Sequence, residues 1–143
     1  MEYKKLLAIT GKSGLFELKS SRADGGIVRS LDEATPKFVS SRTNSFSQLE
    51  AIEVFTIREN VKLTEIFIAM DESSEELPAE KDDKAISNYF IKVYQDLDFD
   101  RVYTSDMKKM VKWFKILKKY NIDFRSSLNQ EETQESEASE VES

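Results

Sequence analysis

The sequence predicts an α+β fold: a small five-stranded barrel-like unit of the SH3 or Tudor type with a short flanking helix, then a two-helix hairpin and a disordered acidic tail. Three observations carry this expectation. Short apolar runs separated by turn residues crowd the first 57 positions. Apolar residues then fall at helical spacing, most clearly over 104–120. The last stretch, 126–143, holds six glutamates and no basic residue.

The β elements follow in order. Residues 3–10 form an apolar run that ends at Gly11-Lys12-Ser13-Gly14, which is turn chemistry. Residues 15–19 alternate, with Phe16 and Leu18 on one face. Asp24-Gly25-Gly26 is a hairpin signal, since Asp-Gly accepts positive φ at low cost. Residues 27–31 and 37–41 read as short strands, the second behind Pro36, which cannot donate to a ladder and suits a strand start. Residues 44–49 read as a single helical turn, and the β-branched run 52–57 as the fifth strand. Five short strands at this spacing predict a small barrel or a strongly bent sheet.

Leu63, Ile66, Phe67 and Met70 then keep helical spacing, so a helix over 62–71 flanks the β-unit. Residues 73–81 are acidic and polar and contain Pro78, which reads as a linker. A second helix is expected over 82–97, capped by Asp82 or Asp83, with Ile86, Tyr89, Phe90, Val93 and Leu97 on one face. The third, over 106–120 with Thr104 or Ser105 as cap, carries Met107, Met110, Val111, Phe114 and Leu117 as a stripe that Trp113, Ile116 and Tyr120 widen. The expected organisation is therefore 1–72 as the β-unit with its helix, 73–81 as linker, 82–125 as helical hairpin and 126–143 as tail. An apolar arc of roughly 220° around the third helix is too wide for one partner helix to cover, so the hairpin should pack on the β-unit.

Lys108, Lys112, Lys115 and Lys119 share the remaining face of that helix, within roughly 60°. Such a strip is ordinarily the solvated side of a core helix; the sharper reading is a candidate binding face for phosphates or an acidic partner. Residues 106–125 carry a net +5 and the tail −6, so the tail is expected to lie back over the strip and compete with anionic partners.

The chain as a whole carries −6, which argues against a dedicated nucleic-acid binder. It has no Cys and no His, so disulfides, thiolate sites and imidazole chemistry are excluded for these residues. Gly11-Lys12-Ser13 ends an apolar run as a phosphate-binding loop would, but Leu6 stands where that loop needs its first Gly, and a strand rather than a helix is expected to follow. Asp96, Asp98 and Asp100 have the spacing of a calcium loop, yet Arg101 and Met107 occupy the positions of its Gly and bidentate acid. No nucleophile elbow or Ser-x-x-Lys pattern is present. The expectation is no enzyme, no catalytic residue, no cofactor and no metal. With no signal-peptide-like start and no span long enough for a membrane, the expected location is cytoplasmic.

The chain resembles a family of uncharacterised proteins from Bacteroidetes-type bacteria. The residues that carry the likeness are Ile9-Thr10-Gly11-Lys12-Ser13-Gly14-Leu15-Phe16, Val28 with Ser30-Leu31-Asp32, then Leu63, Ile66 and Phe67, and finally the run from Asp100 to Lys109 with Trp113 and Leu117. It spans residues 3–122. The resemblance implies no activity and no catalytic residue; it adds a link to translation for an RNA-directed role. The functional expectation is thus a non-catalytic cytoplasmic binding or adaptor module with a protein partner. The alternative is an RNA- or DNA-binding module using the lysine face of helix 106–120. The sequence leaves the identity of the partner, the biological process and the oligomeric state open.

Overall fold

A computed structural model of the chain describes residues 2–33 and 35–126. The acidic stretch 127–143, and with it the expected tail shielding, lies outside the described residues.

Leu6–Ile9 (β1), Phe16–Arg22 (β2), Gly25–Ser30 (β3), Lys37–Ser40 (β4) and Phe46–Gln48 (β5) form one antiparallel sheet in the order β4-β3-β2-β1-β5. Alternation along β1 decides its two faces. Leu6 joins the core under the helices, whereas Leu7 and Ile9 join Val28 and Val39 in a second cluster on the other side. No helix contributes to that second cluster, yet its four members are buried. The sheet covers this face by curling. β4 and β5 are consecutive in the chain but occupy opposite edges. A flat sheet would set those edges about 19 Å apart, nearly the full reach of the connecting chain at about 3.6 Å per residue. The connector instead doubles back, with the Asn44 side-chain amide donating to the Ser40 carbonyl at 3.2 Å. The Phe46 ring of β5 consequently lies over Gly26 of β3, and a register shift between Leu18 and Ser20 adds bend to β2.

The expected barrel is not closed. β4 and β5 share no ladder, so this is an open, strongly bent sheet with two edges. The fifth strand is also a different segment: Phe46–Gln48, expected as a helical turn, pairs with Leu7, Ala8 and Ile9. The 52–57 run supplies only Glu53–Val54 (β6), paired with Val61–Lys62 (β7) in a separate two-stranded ladder. Beyond it, Thr56 bridges to Leu97 and the Ile57 amide donates to the Asp96 carbonyl.

Three helices follow: Leu63–Glu72 (α1), Asp83–Val93 (α2) and Thr104–Lys119 (α3). Asp82 caps α2 by accepting from the Ala85 amide at 3.1 Å. That helix stops at Val93 rather than residue 97, because the 96–98 backbone is taken up in hydrogen bonds with residues 55 and 57. At the head of α3 neither Thr104 nor Ser105 is the cap. The Asp106 carboxylate reaches back to accept from the Tyr103 amide at 3.0 Å, the reciprocal half of a capping box. Asn121 takes φ 51° after α3, and the Ile122 amide donates to the Leu117 carbonyl, closing the helix in a left-handed turn. This turn sends Ile122 and Phe124 back into the core.

One core joins the two halves of the chain. Leu6, Leu15, Leu31 and Leu49 share it with Phe67 of α1, Phe90 of α2 and Phe114 of α3. The expected packing of the helices on the β-unit is what the molecule has. Its centre is aromatic: Phe67 sits 6.3 Å from Phe114 and 6.0 Å from Phe124, and Tyr3 meets Phe124 at 6.4 Å between ring centroids.

The Tyr3 hydroxyl is 2.9 Å from Thr64 Oγ1, a buried bond tying the N-terminal segment to α1. Burial pushes the Tyr3 phenol up from 10.0 to about 12, against the opposing pull of that bond. The folded protein therefore keeps this proton to a higher pH than the unfolded chain does. Its contribution is whole below about pH 10 and lost as the pH rises toward 12. Urea stability is expected to be level up to about pH 10 and then to fall by on the order of 3 kcal/mol at pH 12. Tyr3→Phe should remove much of that alkaline decline; an unchanged decline in this variant would assign it to other groups.

Candidate functional site

The sequence singled out one face of α3, and the structure places its four lysines in unequal settings. Lys108 Nζ is 2.8 Å from Asp83, Lys115 is 3.4 Å from Glu80, and Lys119 is 3.4 Å from Asp32. Carboxylates of the segment before α2, of α2 itself and of the β3–β4 loop thus approach three of the four. Lys112 has no such neighbour among the described residues. At the end of the same helix, Lys118 and Arg125 both hold Asp71, and these two hydrogen bonds keep its carboxyl below the usual range. Tyr120 and then Lys119 do the same for Asp32. These pairs stitch α3 to α1 and to the sheet.

The turn of the helix toward the sheet carries Lys109, Lys112 and Trp113, and these three do come together with another part of the chain. They line a cavity of about 360 Å³ with loop 11–14, Ala8 and Ile9 of β1, Ser47 of β5 and Ile52. Lys12 is in the lining and no carboxylate is. Gly11 and Gly14 have φ of 81° and 87°, values that only glycine adopts without strain; they turn the loop tightly enough to bring Lys12 to the mouth. In the sequence Lys12 belongs to a turn that lacks the first glycine of a phosphate-binding loop. Nothing in a linear pattern connects it with Lys109 and Lys112, which stand almost a hundred positions later.

A second cavity of about 260 Å³ adjoins the first, sharing Ile52, Lys109 and Trp113. Its other walls include Val54, Phe55, Arg101, Val102, Asp106 and Met110. The Arg101 guanidinium sits 4.4 Å from the Phe55 ring centroid and pairs with Asp98 at 2.7 Å, a bond that holds the Asp98 carboxyl below its usual range. Three large hydrophobic side chains of the two segments that meet here, 55–57 and 96–103, stand exposed: Phe55 at 42%, Ile57 at 67% and Tyr103 at 65%. Of the three acids with calcium-loop spacing, Asp98 is thus engaged by Arg101 and by the Asp100 amide. Among the described residues no group of three or more carboxylates is placed to hold a metal ion, and no helix is long and apolar enough to cross a membrane.

An open antiparallel sheet of five strands with three helices on one common core defines the class: an α+β protein. Residues 3–49 match a family model described as domain of unknown function DUF5606, and residues 52–117 one described as domain of unknown function DUF6852. The two stretches meet at the 3-10 turn Leu49–Ala51. The fold is similar to that of a protein from Bacteroides vulgatus, a structural-genomics target solved in solution by NMR. The two are 30% identical with a TM-score of 0.62, over 80% of this chain and 84% of that one. The chain belongs to this uncharacterised Bacteroidetes family. No curated protein matches it.

Proposed function

We propose that the protein is a non-catalytic cytoplasmic binding module that docks a protein partner on the surface formed by Phe55, Ile57, Arg101 and Tyr103. The observation that carries this reading is the gathering, on adjoining segments, of three of the five exposed large hydrophobics among the described residues. A soluble domain gains nothing from exposing them singly, and a cluster beside a cavity is the usual anatomy of a docking site. Arg101 is stacked on Phe55 and pinned by Asp98, so little side-chain freedom is left to lose on binding. The partner this surface fits is an apolar or aromatic segment with a carboxylate for Arg101 or Lys109. In this reading α2 and α3 act as the expected helical hairpin, holding loop 96–103 against residues 55–57. Lys108, Lys115 and Lys119 serve to fasten the fold, which weakens the case for the lysine face as an RNA or DNA contact.

The test is affinity capture from nuclease-treated lysate with the wild type and with Ile57→Asp and Tyr103→Ala, whose exposed positions should leave folding intact. The expected outcome is a nuclease-resistant set of proteins recovered by the wild type and reduced at least about tenfold by either change, the loss of one well-placed apolar contact. Recovery abolished by nuclease, or equal in all three proteins, overturns the proposal.

A further inference from the structure

We infer that the cavity between loop 11–14, β1, β5 and α3 is a binding site for a nucleoside phosphate, with the phosphate held by Lys12, Lys109 and Lys112 and the base against Trp113. This inference goes beyond the protein-docking surface, whose adjoining cavity shares Ile52, Lys109 and Trp113 with this one.

Charge is the first argument. In a chain of net charge −6, this cavity is lined by three lysines and no carboxylate. None of the three has an acidic partner within ion-pair distance among the described residues, whereas most lysines of α3 do. Cations that converge on a concave, low-dielectric wall without neutralising acids raise the local concentration of anions. The adjoining cavity makes a contrast, since its lining includes the carboxylates Glu53 and Asp106.

The loop adds neutral donors. Within it only the Lys12 amide is bonded to backbone, donating to the Ile9 carbonyl at 3.1 Å. The amides of Gly11, Ser13 and Gly14 have no backbone acceptor among the described residues. Unbonded amides in a glycine-turned loop are donors that an anion can use without any helix dipole. This answers the objection that a strand, β2, follows the loop where a nucleotide-binding loop of the usual kind would continue into a helix.

Shape and apolar surface select the rest of the ligand. Trp113, Ala8 and Ile52 supply apolar surface to the same lining. Inorganic phosphate leaves such surface unused; a planar base stacks on an indole at a gain of about 1–3 kcal/mol. A volume of about 360 Å³ is at the lower end of the range for small-molecule sites, about 300–1,000 Å³, and suits one nucleotide. The same chemistry is offered by a free nucleotide and by one residue of a single-stranded RNA.

The experiment uses the full chain and its only tryptophan as reporter. Trp113 emission is titrated with AMP, adenosine, inorganic phosphate and a six-residue oligo(A), at low and physiological salt. Saturable quenching by AMP is expected, at least about tenfold tighter than by adenosine or phosphate alone. Lys12→Ala and Lys112→Ala, both at exposed positions, should each weaken AMP about tenfold and leave the urea midpoint unchanged. Oligo(A) binding more tightly than AMP, with a steeper salt dependence, assigns the source as RNA; AMP binding as tightly or more so assigns a free nucleotide. No saturable quenching by AMP or oligo(A), phosphate binding as well as AMP, or lysine variants indistinguishable from wild type overturns the inference.

Discussion

Phe67→Ala is expected to destabilise the protein by about 3–5 kcal/mol, the range for deleting a fully buried aromatic ring. Against a typical total of about 5–15 kcal/mol, that leaves the fold marginal. Phe67 has no exposed surface, and its ring is within reach of both Phe114 and Phe124. Because these rings come from three separate segments, the hole cannot be closed by a shift of one helix alone. Urea unfolding followed by Trp113 emission and by far-ultraviolet circular dichroism should show both transitions moving together. A loss under about 1 kcal/mol would contradict the assigned burial. A Trp113 transition that moves while the strand signal stays would contradict a common core.

Gly25→Ala should cost about 3 kcal/mol and lower Tm by roughly 10 °C. A Cβ added at Gly25 would lie 2.1 Å from the Val39 carbonyl oxygen and 3.0 Å from the Ser40 Cα. Both are backbone atoms of β4, so no rotamer change relieves the overlap. The Gly25–Ser40 and Gly26–Val39 pairs have to part, and Val39 would lose its place in the second cluster. Faster amide exchange along β3 and β4 should accompany the lower Tm. A Tm within about 2 °C of wild type would mean that the strands are farther apart than described.

What could be read locally came out close to the structure. α1 was expected over 62–71 and runs Leu63–Glu72; α3 was expected to 120 and ends at Lys119. Helical hydrogen bonds join residues four apart, so the pattern that makes a helix is contained in the stretch that forms it. Strands depend on a partner that is distant in the chain, and there the local pattern and the structure part. Residues 46–48 hold one aromatic and two polar side chains, a weak strand signal, yet they pair with the free edge of β1. The β-branched run 52–57 had the stronger signal, but β5 already occupies that edge, and its residues are divided between β7 and the 96–98 backbone. The candidate site divides in the same way. Spacing put Lys108, Lys112, Lys115 and Lys119 on one face, but it could not tell which of them would meet Asp83, Glu80 and Asp32.

By itself, then, the amino-acid sequence determined the extents of α1 and α3 to within about two residues, the α+β class, the apolar arc that brings α3 onto the sheet, and the absence of thiol and imidazole chemistry. Only the tertiary structure decided that the sheet stays open and curls over its own second core, because closure depends on whether β4 and β5 come within hydrogen-bonding distance. It also decided that Lys12 joins Lys109, Lys112 and Trp113 around one cavity. Hydrophobic periodicity is set by each residue's neighbours in the chain, whereas the field at an ammonium group depends on the charges around it in space. Those charges come from segments that only folding brings together.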